Sequence, residues 1–432
     1  MTMEWFWPEG FYAVAMIFAF AFGAFAFKLP IAIAMSAAAI IGSLLAGFGI
    51  PLRHLVEGMF GYIDTILIIA TAMIFMNVVQ SIGLMEAVAA WIIRRFRKSP
   101  FLLSVGMMFL IMLPGMLTGS STAGVLTTGA LVAPVLIRLG VPVIKTAAFI
   151  AMGAILGMIA PPVNIPVMII GGGIDMPYVG FAIPLLIATV PLALFVIAIL
   201  ALPSLAKKGA VDEAALESEL SRMEQATLTP RLFIPFMVLI LLMACEQFFP
   251  GKFPSLGMPL QFLLASVSAV FTGRRWNVLE SATNAVRDAI PVLGILMGVG
   301  MFIQIMTLTG VRGFVVVSAL AIPAWLLYVS IGVSLPAFGA ISSFGAASVL
   351  GVPFILALLS KDQIMVASGL ALISGLGDLV PPTALAGIFA AQVVGEKNYF
   401  SVLKYCIIPS IAIVLWGIAL IVWANPIAAL IR

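Results

Sequence analysis

Two interruptions in an otherwise apolar stretch constrain this chain more than any other feature. Between Leu113 and Pro166, the sequences LPGMLTGSSTAG and GMIAPPVNIP put serine, threonine, glycine and paired prolines inside segments apolar enough to lie in a bilayer. Lipid cannot hydrogen-bond an opened backbone, so non-helical chain at membrane depth persists only where protein or a water-filled cavity covers it. The pattern therefore predicts a membrane protein with two breaks that line an internal site.

The composition supports a chain that crosses the lipid bilayer many times. Of its 432 residues, 63% are hydrophobic and only 9% are charged, whereas soluble domains carry about 25% charged residues. This length and balance predict an all-α polytopic membrane protein of roughly ten to twelve crossings, some of them broken. Much of the basic excess lies in clusters beside apolar spans, such as Arg94–Lys98. Such clusters set membrane topology, and they argue against a nucleic-acid partner.

The second half of the chain repeats both interruptions. LPAFGAISSFGAAS spans Leu335–Ser348, and GDLVPPTALAG spans Gly377–Gly387. Five features recur in the same order at separations of 220 to 227 residues: Asp64 with Asp288, Gly83 with Gly310, Pro114 with Pro336, Ser120-Ser121 with Ser342-Ser343, and Pro161-Pro162 with Pro381-Pro382. We therefore expect two structural repeats, residues 1–203 and 231–432. Residues 204–230 are hydrophilic and carry apolar side chains at helical spacing, which predicts an amphipathic connector between the repeats.

The charges favour an inverted relation between these repeats. The cluster Arg94–Lys98 is matched after Gly310 by Arg312 alone. Equivalent loops of an inverted repeat face opposite sides of the membrane, so one loses its basic cluster. Paired breaks at corresponding positions of two halves are also the best sequence indication of a secondary transporter's binding site. The predicted fold has inverted repeats with two re-entrant hairpins and two interrupted helices.

The residue types in the first half suit cation binding. The carbonyls and hydroxyls of TGSSTAG are hard oxygen ligands of the kind that a dehydrated Na⁺ accepts; the alternative is that small residues only allow close helix packing. In APPVNIP, the tandem prolines remove backbone donors and free carbonyls for a cation, unless they only kink a helix. The half-helix that follows offers its positive N-terminus to an anion. The candidate Na⁺ ligands of this half are Gly119, Ser120, Ser121, Pro161, Pro162 and Asn164.

The second half adds an intramembrane acid. Asp378 lies three residues before a proline pair, and burying charge in a membrane is costly enough that such acids are usually functional. It could bind a cation directly or be a proton site. The candidate ion ligands here are Gly339, Ser342, Asp378 and Pro381. Hydroxyls and an amide near the four interruptions give a candidate substrate set of Thr122, Asn164, Ser342, Ser343 and Thr383.

Three segments resemble the large membrane subunit of TRAP (tripartite ATP-independent periplasmic) transporters. They are KLPIAIAM at Lys28–Met35, TGSSTA at Thr118–Ala123 and IAPPVNIPVMIIGGG at Ile159–Gly173. The resemblance implies an elevator-type permease of the ion-transporter superfamily in the inner membrane, coupled to Na⁺ and carrying organic acids. It also implies a small four-helix membrane subunit and a periplasmic solute-binding protein as partners. The first-half ion ligands named above match motif positions near the ion and substrate sites of that family.

Other function classes remain open at this stage. The first is a stand-alone Na⁺- or H⁺-coupled anion symporter of the same superfamily. A second is an intramembrane aspartyl protease, because GLGD at Gly375–Asp378 is similar to the GxGD signature, although the only candidate for its second aspartate is Asp64. A passive channel would need no paired breaks. We expect no enzyme activity, no catalytic residues, no cofactor, and no metal other than Na⁺ as the coupling ion.

Overall fold

The computed structural model describes residues 7–206, 228–249, 251–274 and 276–431, and the regular secondary structure within these ranges is helical. Of the described helices, those long and apolar enough to cross a membrane number seven: Pro8–Phe25, Ile63–Ser81, Pro100–Thr118, Ser121–Arg138, Ala182–Leu205, Val278–Leu308 and Tyr399–Val422. The all-α polytopic class is therefore confirmed. The predicted amphipathic connector at 204–230 falls almost wholly outside the described residues.

The described part of the first half has ten helices. Two of them begin at a proline, Pro8 and Pro100, whose missing N–H would lack a partner in the first turn in any case, and α5 begins after Gly83, which has a φ of 75°. The helices are α1 Pro8–Phe25, α2 Ile31–Leu45, α3 Leu52–Phe60, α4 Ile63–Ser81, α5 Leu84–Phe96, α6 Pro100–Thr118, α7 Ser121–Arg138, α8 Val143–Ile159, α9 Ile165–Gly172 and α10 Ala182–Leu205.

The described helices of the second half follow the same order, with two differences. One continuous helix, α13, replaces the α3–α4 corner, and a short helix is added at the end. The helices are α11 Ile234–Phe248, α12 Gly257–Thr272, α13 Val278–Leu308, α14 Val311–Ala321, α15 Ala324–Gly339, α16 Ser343–Ala357, α17 Gln363–Leu379, α18 Leu385–Val393, α19 Tyr399–Val422 and α20 Ala424–Ile431. Within this order the two hairpins are α6–α7 and α15–α16, and the two interrupted helices are α8–α9 and α17–α18. The repeat boundaries, 1–203 and 231–432, stay a prediction.

The helices pack as an outer group and a central group. In the outer group, α13 packs against α2, α3 and α4, while α12 packs against α4. In the central group, α8 packs against α6, α7, α10, α18 and α19, and α17 packs against α15 and α19. Every residue of α8 from Thr146 onward is buried, as is every residue of α17 from Met365 onward. Apolar residues lie on every side of both helices, which is the pattern of a helix covered by protein all round.

Glycine contacts bring each hairpin against its central helix. A Cβ on Gly157 of α8 would lie 2.4 Å from the Met112 carbonyl oxygen of α6. A Cβ on Gly377 of α17 would lie 2.5 Å from the Gly339 Cα of α15. Small residues allow helix backbones in membranes to approach this closely. The candidate ion ligand Gly339 is thus also a packing residue.

Candidate functional site

The tip of the first hairpin is a tight turn capped by serine. Gly119 ends α6 with a φ of 66°, and a Cβ there would lie 2.5 Å from the Ile165 side chain, so glycine suits both the conformation and the space. The Ser120 Oγ accepts from the Ala123 N–H at 3.3 Å and caps α7. Ser120 and Thr122 are partly exposed, whereas Ser121 is buried. The tip therefore has one buried hydroxyl and two accessible ones.

The second hairpin tip is built in the same way but is more enclosed. The Ser342 Oγ accepts from the Gly345 N–H at 3.1 Å and caps α16. Ser342, Ser343 and Phe344 are all buried. A π-helical turn follows each tip, Val125–Gly129 in α7 and Ala347–Gly351 in α16. Such π-turns are frequent at functional sites.

The break between α8 and α9 is buried, and its polar groups form hydrogen bonds within the protein. The Asn164 amide donates to the Ile159 carbonyl at 2.7 Å, and its oxygen accepts from the Val167 N–H at 2.9 Å. The Val163 N–H donates to the Met116 carbonyl of the first hairpin at 3.0 Å. The side chain of Asn164 thus spans the break and caps α9, while its candidate roles in ion and substrate binding stay predictions.

The break between α17 and α18 is tied to the second hairpin and is more exposed. The Thr383 hydroxyl donates to the Ala340 carbonyl at 2.6 Å, and the Thr383 N–H donates to the same oxygen at 3.3 Å. Pro381 and Thr383 are partly exposed and Pro382 is exposed. Like Pro161-Pro162, Pro381-Pro382 is joined by a cis peptide bond.

A buried carboxylate connects the two halves. Asp378 lies in the last turn of α17 with 8% of its surface exposed. The hydroxyl of Ser121, at the first hairpin tip, donates to Asp378 Oδ2. The side chain of Ser343, at the second tip, also lies within interaction range of this carboxylate. Three of the candidate residues, from both hairpins and one interrupted helix, therefore meet at a single charge.

Two tyrosines that the sequence analysis did not single out donate hydrogen bonds to backbone carbonyls at the breaks. The Tyr178 hydroxyl donates to the Pro162 carbonyl at 3.0 Å, and the Tyr399 hydroxyl donates to the Leu379 carbonyl. The two tyrosines are 221 residues apart, inside the spacing range of the repeated features. That spacing is the signal that could have identified them.

Comparison with known proteins identifies the family. Residues 16–427 match the family described as Tripartite ATP-independent periplasmic transporter, DctM component. The chain belongs to the DctM family. A search of curated protein sequences finds no match.

Two solved transporter structures are similar to this DctM chain in fold. The Alcanivorax borkumensis YdaH transporter shares 17% identity over 86% of this chain and 87% of its own, with a TM-score of 0.60. Neisseria gonorrhoeae MtrF, described as illuminating a class of antimetabolite efflux pumps, shares 16% identity over 98% and 95%, with a TM-score of 0.61. At these identities the likeness concerns the fold.

The DctM assignment confirms the resemblance seen in the three sequence motifs. The chain is a multi-pass inner-membrane component of a transport system. Its family is one of transporters and not of enzymes. The family also implies a small membrane subunit and a periplasmic binding protein as partners.

Proposed function

We propose that the chain is the permease of a TRAP system that couples Na⁺ entry to the uptake of a small organic anion. The observation that carries this proposal is the buried Asp378 carboxylate between the two hairpin tips. Within the described part of the chain, the hydroxyl of Ser121 donates to it, the side chain of Ser343 lies nearby, and no basic side chain pairs with it. A buried charge without an opposite charge is costly, so this site favours a bound cation.

Sodium fits the chemistry of the surrounding atoms. The candidate ligands are carboxylate, hydroxyl and backbone carbonyl oxygens, which are hard ligands suited to a hard cation. The turns at Gly119 and Ser342 and the two proline pairs are the points where backbone carbonyls leave the helical pattern. In this proposal, Na⁺ is held by Asp378 and by carbonyl or hydroxyl oxygens of both tips.

The substrate anion is held by the more accessible members of the candidate set. Thr122 and Thr383 are partly exposed, whereas Asn164, Ser342 and Ser343 are buried. The N-termini of α7, α9, α16 and α18 follow the four interruptions, and helix N-termini favour negative charge. We assign the threonines to direct contact with a substrate carboxylate, and the buried residues to shaping the site behind them.

The two packing groups suggest how transport proceeds. The central group would carry ion and anion together across the membrane against the outer group, in the manner of an elevator. The periplasmic binding protein would deliver the anion, and the small membrane subunit would support the outer group.

Uptake into proteoliposomes tests the coupling. The permease, reconstituted with its small subunit, is given a panel of small mono- and dicarboxylates, with and without the binding protein, under an imposed Na⁺ gradient. We expect Na⁺-driven uptake that Asp378→Asn lowers about 100-fold, since a lost charge contact of about 3 kcal/mol corresponds to that factor. The matched control is Asp288→Asn, because Asp288 is exposed on α13.

Three outcomes would contradict parts of this proposal. Unchanged Na⁺ dependence in Asp378→Asn would remove Asp378 from the ion site. Uptake that follows a pH gradient without Na⁺ would indicate proton coupling. Uptake that needs no binding protein would indicate a stand-alone symporter.

A further inference from the structure

A polar cavity lies beside the first hairpin, away from Asp378. It has a volume of about 180 Å³ and is bounded by the end of α4, the start of α5 and the π-turn of α7. Its lining residues are Gln80, Met85, Glu86, Thr127, Thr128 and Leu131. Thr127 is six residues beyond Ser121, which is about 9 Å along a helix at 1.5 Å per residue. The cavity is therefore distinct from the site at the hairpin tips.

The polar atoms of this cavity are mostly hydrogen-bond acceptors. The Thr127 and Thr128 hydroxyls already donate to the carbonyls of Ala123 and Gly124 in the preceding turn, so their oxygens remain as acceptors. Glu86 Oε2 is buried and has no hydrogen-bond partner among the residues that the structure describes. A buried carboxylate oxygen without a donor is costly. The lining holds no basic side chain, and the amide of Gln80, its one side chain with a free donor group, does not donate to this oxygen.

The corresponding place in the second half shows that the architecture does not need this lining. At the spacings of the repeat, Glu86 corresponds to Gly313, and the two threonines correspond to Val349 and Leu350. Val349 and Leu350 line a cavity of only about 20 Å³ whose other lining residues are apolar. The same turn of a hairpin arm is thus filled by apolar side chains in one half and left open and polar in the other.

The position of Glu86 in the first turn of α5 explains only part of this difference in lining between the two halves. An acid there stabilises the helix through its dipole. Glu280 does the same in the first turn of α13, but it is exposed and faces solvent or headgroups at no desolvation cost. The dipole accounts for neither the buried oxygen of Glu86 nor the two threonines opposite it.

We propose that this cavity binds a small monovalent cation through Glu86 and the hydroxyl oxygens of Thr127 and Thr128. The cation is either a Na⁺ additional to that at the hairpin tips or the ammonium group of a substrate. The cavity joins α4 and α5 to one arm of the hairpin, so its occupant holds that arm in place.

Cation-dependent thermal stability tests this site without knowledge of the substrate. The purified permease with its small subunit in lipid nanodiscs is titrated with NaCl or methylammonium chloride, with choline chloride as the ionic-strength control. We expect Glu86→Gln to raise the half-saturating concentration of one of the two cations about tenfold. The double variant Thr127→Val with Thr128→Val, which imitates the second half, should act in the same direction. Glu280→Gln is the matched control and should equal the wild type.

The result distinguishes the two sources of the cation. A Glu86-dependent response to Na⁺ indicates an additional coupling-ion site, and one to methylammonium indicates a site for a substrate amine. Half-saturating concentrations equal to the wild type for both variants in both salts would overturn the proposal. Asp378→Asn, measured in parallel, separates this result from the proposed function. If Asp378→Asn alone changes the Na⁺ response, the site at the hairpin tips stands and the cavity site fails. If only the cavity variants change the Na⁺ response, the result supports the cavity site alone.

Discussion

The two breaks share a backbone plan but differ in chemistry. Each follows a buried helix, each is tied to its own hairpin by a backbone hydrogen bond, and each has a carbonyl bonded by a tyrosine. The first break is buried and is spanned by Asn164, whereas the second is partly exposed and follows Asp378. The positions equivalent to these two residues are Ala384 and Met158. The repeat therefore supplies the shape, and the residues that differ between the halves supply the chemistry.

The hairpin tips show the opposite asymmetry. The first tip leaves Ser120 and Thr122 partly exposed, while the second buries Ser342 and Ser343. The accessible tip and the accessible break thus belong to different halves, and the hydrogen bond from Ser121 to Asp378 joins them. The candidate site residues that meet here therefore come from both halves.

The largest effect is expected from the serines that meet Asp378. Ser121→Ala and Ser343→Ala each remove a contact to a buried charge, for which about 1.5–3 kcal/mol is typical, so the Na⁺ concentration for half-maximal uptake should rise about 10- to 100-fold. Ser266→Ala is the control, because Ser266 is buried but donates only to the Phe262 carbonyl of its own helix. An effect of Ser121→Ala without one of Ser343→Ala would mean that only the first tip binds the ion.

A smaller effect is expected from the brace of the first break. Asn164→Ala removes a buried cap and leaves the Ile159 carbonyl without its donor, which should lower the stability by about 2 kcal/mol. We expect a lower thermal midpoint in nanodiscs and a lower rate of Na⁺-dependent uptake. Asn398→Ala removes the cap of α19. Because the side chain of Asn398 is exposed, this substitution should change the midpoint much less. Equal midpoints for the two variants would show that the first break does not depend on its asparagine.

The smallest effect is expected from the tyrosines. Tyr178→Phe and Tyr399→Phe each remove one hydrogen bond to a break carbonyl, which is worth about 1 kcal/mol, so each should shift the Na⁺ midpoint about fivefold with little change in the maximal rate. Tyr405→Phe, at an exposed position on α19, is the control. Equal shifts would mean that both breaks take part in ion binding, and a shift in only one would assign the ion to that break.

Much of this architecture could be predicted from the sequence. Proline pairs and serine-glycine turns inside apolar segments are incompatible with continuous helices in lipid. The sequence alone therefore marks the interruptions at Ser120, Ser342, Pro161 and Pro381. The order of features along the two halves predicted the arrangement of hairpins and interrupted helices for the same reason.

The contacts of the site could not be predicted in this way. That Ser121 reaches Asp378 depends on how α6–α7 packs against α17, and no local pattern encodes a pairing across 257 residues. Tyr178 and Tyr399 donate their hydroxyls to backbone carbonyls, and such contacts leave no sequence motif. The only signal is that the two tyrosines are separated by the spacing of the repeat. Glu86 was visible as an acid near a basic cluster, but only the packing of α5 against the hairpin leaves its oxygen buried.

The sharing of Asp378 by both hairpin tips has a thermodynamic consequence. Whatever occupies this carboxylate changes the free energy of holding each tip, and linkage requires that each tip change the affinity for the occupant by the same amount. Releasing one tip therefore weakens the grip on the ion, and losing the ion loosens both tips at once. A single acidic side chain can in this way keep the two sides of a carrier from acting independently.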